Sequence, residues 1–258
     1  MANGAETSII DAAMTACKDA LAARERMPTL FWIAIAIVAA LSLVFFGIAF
    51  SIGPGFLSSL VILILSIVQG FFLTPLAIAV HRFVLLGESN DSYNLDPQSP
   101  RFQKFFTFLA GIFFIEAIPQ FFRELLWGPI GGVVGLVLAI VVAVIVTRNV
   151  ILFPAVAVDA PGADWPNAMA DTQGHSWRVF FILLCIALPL GIAGGILMAV
   201  FAFIPIIGWV IIALIRGALT VAIVASFAAA ASHLYAAYAN QLGRPSGLPS
   251  AAATGSRY

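Results

Sequence analysis

Residues 30–50 read LFWIAIAIVAALSLVFFGIAF, an uncharged run in which only Ser42 carries a hydroxyl group. A helix needs about 20 mostly apolar residues to cross the hydrocarbon core of a bilayer. Five further runs of similar character follow, at residues 56–80, 105–122, 131–158, 179–203 and 209–231. Together they predict an all-α, polytopic membrane protein with six transmembrane helices, because a backbone in lipid must satisfy its own hydrogen bonds.

The composition of the 258-residue chain agrees with this fold class. It is 62% hydrophobic and 9% charged, and its mean hydropathy is +1.07. A water-soluble domain would need more polar surface. The formal net charge is zero, so binding to nucleic acid by counterion release is not expected. Cys17 and Cys185 suggest neither a disulfide framework nor a metal site.

The distribution of lysine and arginine predicts the orientation of the protein in the membrane. If the chain crosses six times, only Arg123 lies in a connection on one side. Nine basic residues share the other side, namely Lys18, Arg24, Arg26, Arg82, Arg101, Lys104, Arg178, Arg244 and Arg257. The positive-inside rule therefore predicts that both termini are cytoplasmic.

The connections between runs group the helices into pairs. Residues 51–55 and 204–208 are short and rich in Gly or Pro, and residues 123–129 form another short link. A transmembrane domain over residues 30–240 is therefore predicted to consist of three hairpins, at residues 30–86, 104–159 and 178–240. A flexible tail is expected over residues 241–258.

Residues 1–29 are predicted to form a cytoplasmic or interfacial amphipathic segment. Ile10, Met14, Cys17 and Leu21 recur there at helical spacing. Such a helix either lies among the lipid headgroups or docks on its own protein, and the sequence leaves both possibilities open.

Two of the apolar runs contain similar segments, QGFFLTPLAIAV at residues 69–80 and RNVILFPAVAV at residues 148–158. Their proline-containing endings match, and a weaker copy begins at Arg216. This similarity predicts an internal repeat in which the second helix of each hairpin carries one strongly polar residue, which is Gln69, Arg148 or Arg216.

The segment at residues 148–159, the later Ser176-Trp177-Arg178 and the segment VHRFVLLGE at residues 80–88 resemble a group of bacterial inner-membrane proteins. These are six-helix proteins similar to the membrane domain attached to some glycerophosphodiester phosphodiesterases. Here no catalytic domain follows the sixth run, so the resemblance implies a bacterial plasma-membrane location and no catalytic residue.

Two charged residues lie inside the apolar runs at matching depth. Glu116 and Arg216 are each about seven residues from the outer end of a run, or ~10–12 Å below the outer boundary. Because an intramembrane charge costs at least ~2.5–3.5 kcal/mol, we predict an ion pair between them. It is either a buried link between two helices or part of a substrate or proton path. On that path Gln69 and Arg148 would be further members, unless Arg148 extends to the cytoplasmic interface.

The sequence contains no catalytic, cofactor-binding or metal-ligating motif, so we expect neither an enzyme nor a cofactor. His81 and His233 are expected at the membrane interface. Acidic residues outside the runs, such as Asp91, Asp159 and Asp171, are expected on solvated faces and turns.

We therefore expect a non-enzymatic integral protein of the bacterial inner membrane with a structural, accessory or lipid-organising role. Membrane lipids are the expected partners, and another membrane protein complex is left open as a partner. The alternative is a small transporter or channel with an intramembrane polar path through Gln69, Glu116, Arg148 and Arg216.

Overall fold

The computed structural model describes residues 8–53, 55–126, 128–204 and 207–243, and all regular secondary structure within them is helical. These residues form α1 (Ile9–Arg26), α2 (Pro28–Ile52), α3 (Phe56–Leu86), α4 (Pro100–Leu125), α5 (Gly128–Asn149), α6 (Leu152–Ala157), α7 (Trp165–Asp171), α8 (Ser176–Phe201) and α9 (Ile207–Tyr238).

Six segments are long and apolar enough to cross a bilayer, which confirms the predicted all-helical fold class and the predicted number of candidate membrane spans in the described part of the chain. They are Pro28–Ile48, Phe56–Leu86, Pro100–Leu125, Gly128–Ala157, Ser176–Phe201 and Ile207–Tyr238. Large apolar side chains point outward from them, as Leu136 and Ile196 do with 63% and 62% exposure. Such surfaces are suited to contact with lipid chains.

The fourth span is interrupted near its end by a proline. α5 ends at Asn149 and α6 begins at Leu152, before Pro154. Pro154 has no N–H and its ring clashes with the carbonyl one turn earlier, so an α-helix cannot continue unchanged past it. The hydroxyl of Thr172 donates a 2.9 Å hydrogen bond to the Arg148 carbonyl near the break.

α9 is the helix around which the others pack, since it contacts α1, α2, α3, α6 and α8. Its second half contributes five buried alanines, Ala225, Ala228, Ala229, Ala230 and Ala231. Farther toward the start of α9, a Cβ atom on Gly217 would lie 2.7 Å from the carbonyl oxygen of Ile35 in α2. Small side chains at these positions let the neighbouring backbones approach closely, as is typical of helix packing in membranes.

α1 docks on α8 and α9 through small residues. Ala13, Ala16, Ala20 and Ala23 are buried on this side of α1. Asp19 Oδ2 also lies 2.6 Å from Nε2 of His233 in α9. The larger side chains predicted to form the apolar face remain outside, because Ile10, Met14 and Leu21 are 63%, 49% and 57% exposed. α1 thus has one face packed on the protein and a separate apolar stripe.

Asp91 and Asp171 are half-buried and bond to the ends of helices, a role that the expectation of solvated faces and turns did not include. Asp91 accepts hydrogen bonds from the backbone and hydroxyl of Thr29 and from the backbone of Leu30, at the start of α2. Its pKa is lowered chiefly by the bond from the Thr29 hydroxyl.

Asp171 accepts three backbone hydrogen bonds, from Asn240, Gln241 and Leu242. Because Leu242 is also fully buried, the ordered chain continues past residue 240, where a flexible tail was predicted to follow. The rest of that predicted tail, residues 244–258, lies outside the described residues.

Charged side chains join α3, α4 and the end of α6. Arg82 donates two 2.7 Å hydrogen bonds to Glu88 and one of 3.0 Å to the Ala157 carbonyl. Arg101 forms a bidentate, hydrogen-bonded ion pair with Asp159. This bond from the guanidinium lowers the pKa of the Asp159 carboxyl. Asp159 therefore also has a structural role that the sequence did not suggest.

We expect Gly217→Ala to lower the thermal unfolding temperature of the detergent-solubilised protein. The added methyl group would press on the α2 backbone at Ile35, and overpacking of this kind costs ~1–3 kcal/mol. Gly195→Ala is the control, since a Cβ there meets no heavy atom within 4 Å. Equal melting temperatures for the two variants would contradict the close approach of α2 and α9.

The Arg101–Asp159 pair predicts an acid-sensitive contribution to stability. Since the folded-state pKa of Asp159 is lowered, this contribution is complete above the ordinary carboxyl pKa of ~3.9. It is lost as the pH falls through the lowered value. Asp159→Asn, which suits the positive φ of 55°, should therefore melt below the wild type at pH 7. The two melting temperatures should converge in acid, and a difference that persists there would contradict the pairing.

Candidate functional site: an intramembrane groove

A groove of about 690 Å³ lies between α4, α5 and α8. This volume is in the range of ~300–1,000 Å³ found for clefts that hold small molecules. On α5 its wall is formed by small residues at every fourth position, Gly135, Ala139 and Ala143, and by larger aliphatic residues beside them. The α8 wall consists of Phe180, Leu183, Leu184 and Ala187.

The groove exists because close helix packing occurs on either side of it. A Cβ on Gly131 would lie 2.5 Å from the Arg123 carbonyl oxygen, so α5 can approach α4 only with glycine there. A Cβ on Gly194 in α8 would lie 2.4 Å from a methyl group of Leu219 in α9. α5 and α8 pack less extensively on each other. The two tightly packed pairs therefore leave a space between them.

Polar side chains line one end of this groove. Glu116, Gln120 and Arg123 come from successive turns of α4, close to its connection to α5. From Gly132 to Thr147 the α5 wall is ~22.5 Å long, about three quarters of the ~30 Å hydrocarbon core. The groove is therefore long and mostly apolar, with charged and amide side chains along one half and the Thr147 hydroxyl at the other end, which suits a ligand with a polar part and an apolar part.

A hydrogen-bonded network beside the groove joins α4 to α3. The Ser59 hydroxyl of α3 donates a 2.7 Å hydrogen bond to Glu124 Oε1. The Gln120 amide donates to the same carboxylate oxygen and, at 3.3 Å, to the Ser59 hydroxyl. This network holds the polar end of α4 in place. Glu116 is not part of it, and no described residue forms a hydrogen bond or ion pair with the Glu116 carboxylate.

The predicted ion pair between Glu116 and Arg216 is not formed. Arg216 instead places its Cζ atom 4.7 Å from the centroid of the Phe45 ring in α2. α4 packs mainly on α3 and α5, whereas α9 packs mainly on α1, α2, α3 and α8. Equal depth along two helices determines neither whether they are neighbours nor which way their side chains point, and for this reason the prediction was wrong.

The other predicted polar residues lie apart from the groove. Gln69 and Arg216 do come together, since both line a small cavity of about 60 Å³ between α2, α3 and α9. Arg148 is elsewhere, where its Nη2 donates a 2.6 Å hydrogen bond to the Met169 carbonyl in α7. Within the described ranges, Glu116, Arg148 and the Gln69–Arg216 pair thus occupy three separate places.

His81 is a buried residue that the sequence interpretation placed at the membrane interface. Its Nδ1 atom lies 2.9 Å from the Ser232 hydroxyl oxygen, so it joins α3 to α9. The available signal was that His81 and Ser232 each directly follow an apolar run, at residues 56–80 and 209–231. Among the residues described by the structure, no group of three His, Cys, Asp or Glu side chains could hold a metal ion.

Comparison with models of known protein families, with curated proteins and with solved structures finds no match to this chain. The resemblance to the membrane domains of glycerophosphodiester phosphodiesterases therefore remains a prediction.

We expect a double-mutant cycle to separate the observed partner of Arg216 from the predicted one. Arg216→Gln and Phe45→Leu should couple by ~0.5–2 kcal/mol in unfolding free energy, as a cation–π contact does. Arg216→Gln and Glu116→Gln should be additive within ~0.5 kcal/mol, because the two side chains do not touch. Strong coupling in the second cycle and none in the first would contradict the described arrangement.

Proposed function

We propose that this protein is a non-enzymatic integral membrane protein that binds and organises membrane lipid. The observation that carries the proposal is the groove between α4, α5 and α8, with its apolar walls and its polar end at Glu116, Gln120 and Arg123. A phospholipid is likewise divided into an apolar part and a polar part.

The apolar walls of the groove favour lipid chains as the ligand. Leu136 and Leu184 line it and are 63% and 38% exposed, so the groove is open at its side. A chain that moves from the bilayer into this space gains little from the hydrophobic effect, because lipid tails are as apolar as leucine. Retention must therefore come from van der Waals packing on the walls and from the polar end.

The polar end offers complementary groups for a lipid headgroup. Arg123 is an exposed guanidinium, which can donate paired hydrogen bonds to phosphate oxygens. The Glu116 carboxylate accepts hydrogen bonds from hydroxyl or ammonium groups. These two residues are seven positions apart on one helix, so they lie on the same face at a spacing of ~10.5 Å.

Transport through a polar path has less support than lipid binding. Such a path requires Gln69, Glu116, Arg148 and Arg216 to border one continuous passage, and they lie in three separate places. Gln69 and Arg216, the two that meet, border a cavity of about 60 Å³. A structural or lipid-organising role needs no such passage.

For the arrangement in the membrane, we propose three hairpins with both termini in the cytoplasm of a bacterial cell. The supports are the distribution of lysine and arginine and the packing of consecutive spans, α2 on α3, α4 on α5 and α8 on α9. The exposed stripe of Ile10, Met14 and Leu21 supports an interfacial position for α1. Only the family resemblance supports a location in the inner membrane.

The test is the amount of phospholipid that copurifies with the full chain, measured by mass spectrometry. We expect Ala139→Phe to weaken lipid retention roughly tenfold, which corresponds to ~1.4 kcal/mol of lost packing. Ala139 is exposed and lines the groove, so a phenylalanine side chain at this position would fill part of the proposed lipid site.

Ile140→Phe is the matched control for this experiment. Ile140 is the next residue of α5, is 57% exposed and is not part of the groove wall. It should retain lipid as the wild type does. Equal retention by Ala139→Phe and Ile140→Phe, or a wild-type protein without bound lipid, would contradict the proposed function.

A further inference from the structure

A second groove, of about 400 Å³, lies between α1, α2, α8 and α9. Its walls are almost entirely apolar and include Leu21 of α1, Leu190 of α8 and Ala222 of α9. Leu21 and Trp32 border it and are 57% and 60% exposed, so this groove is also open at its surface. It shares no lining residue with the groove between α4, α5 and α8.

One charged residue, Arg24, lines this second groove. Its Cζ atom lies 5.8 Å from the centroid of the Trp32 ring, near the junction of α1 and α2. Tryptophan is enriched at the boundary between headgroups and lipid chains, so Arg24 lies at the level where phosphate groups are found. Within the described part of the chain, the Arg24 guanidinium forms no ion pair with a carboxylate.

The length of the groove matches a single leaflet. Its α9 wall runs from Ala218 to Ser226, which is ~12 Å along the helix. Half of a ~30 Å hydrocarbon core is ~15 Å. On α2 the lining residues begin at Phe31, close to the start of the helix. The groove therefore extends from the α1–α2 junction about as far as one lipid chain of the nearer leaflet.

The charges around this end of α1 favour an anionic ligand. Lys18, Arg24 and Arg26 are exposed. Of the nearby carboxylates, Asp19 is bonded to His233 and Asp91 to the start of α2, whereas Glu25 is exposed. A basic side chain near the membrane surface attracts an anionic lipid, whereas a zwitterionic headgroup has no net charge to attract.

We propose that this groove binds an anionic phospholipid of the leaflet nearer to α1. One acyl chain lies along Ala218 and Ala222, and the phosphate group is bound by Arg24. This inference rests on the proposed lipid-binding function, and it names the class of lipid and a second place of binding.

The test uses the purified, delipidated full chain, titrated with dioleoyl phosphatidylglycerol or dioleoyl phosphatidylcholine and followed by native mass spectrometry. We expect the wild type to prefer phosphatidylglycerol and Arg24→Gln to weaken its binding about fivefold. Arg26→Gln is the matched control, since it removes the same charge two residues away at an exposed position outside the groove. Arg24→Lys should keep most of the preference because the charge remains.

The apolar part of the site is tested by Ala218→Phe, which fills the groove from an exposed position on α9. It should weaken binding of both lipids at this site, whereas Ala193→Phe, at an exposed position of α8 outside the groove, should not.

Equal effects of Arg24→Gln and Arg26→Gln would overturn the site, because surface charge alone would then explain the preference. Lipid binding that Ala139→Phe reduces, but that Arg24→Gln and Ala218→Phe leave unchanged, would overturn this site and leave the proposed function standing. A wild-type chain that binds neither lipid would overturn both.

Discussion

The close approach of helices to α9 is the constraint on which the rest of this structure depends. Lipid tails are as apolar as helix surfaces, so the spans cannot be held together by the hydrophobic effect and need van der Waals contact instead. Gly217 and the buried alanines of α9 supply it for α1, α2, α3, α6 and α8. The protein core therefore combines small side chains with buried large ones such as Tyr235 and Phe105, and many other large side chains face outward.

This way of packing determines where polar groups and cavities occur. Near the helix ends, Asp91, Asp159 and Asp171 bond to backbone or arginine partners and fix the positions of α2, α4 and the end of α9. Between tightly packed pairs of helices, spaces remain that no side chain of the described residues fills. The groove between α4, α5 and α8 and the groove beside α1 both arise in this way, and both combine apolar walls with an arginine.

The sequence predicts features that depend on local residues, and it does not predict features that depend on which helices are neighbours. Runs such as residues 30–50 determine the number of spanning helices because length and hydropathy are local properties. The partner of Arg216 is not a local property, since it depends on which helices are neighbours and how each is rotated, and depth alone wrongly suggested Glu116. The grooves were also beyond prediction, because a space between helices leaves no pattern in any one of them.

A structure of the full chain in lipid nanodiscs, determined by electron cryomicroscopy, would show directly whether the groove between α4, α5 and α8 holds lipid. We expect elongated lipid density along Gly135, Ala139 and Ala143, with its polar end beside Arg123. Direct contact between α5 and α8 that closes the groove, or a continuous water-filled passage through it, would contradict lipid binding there.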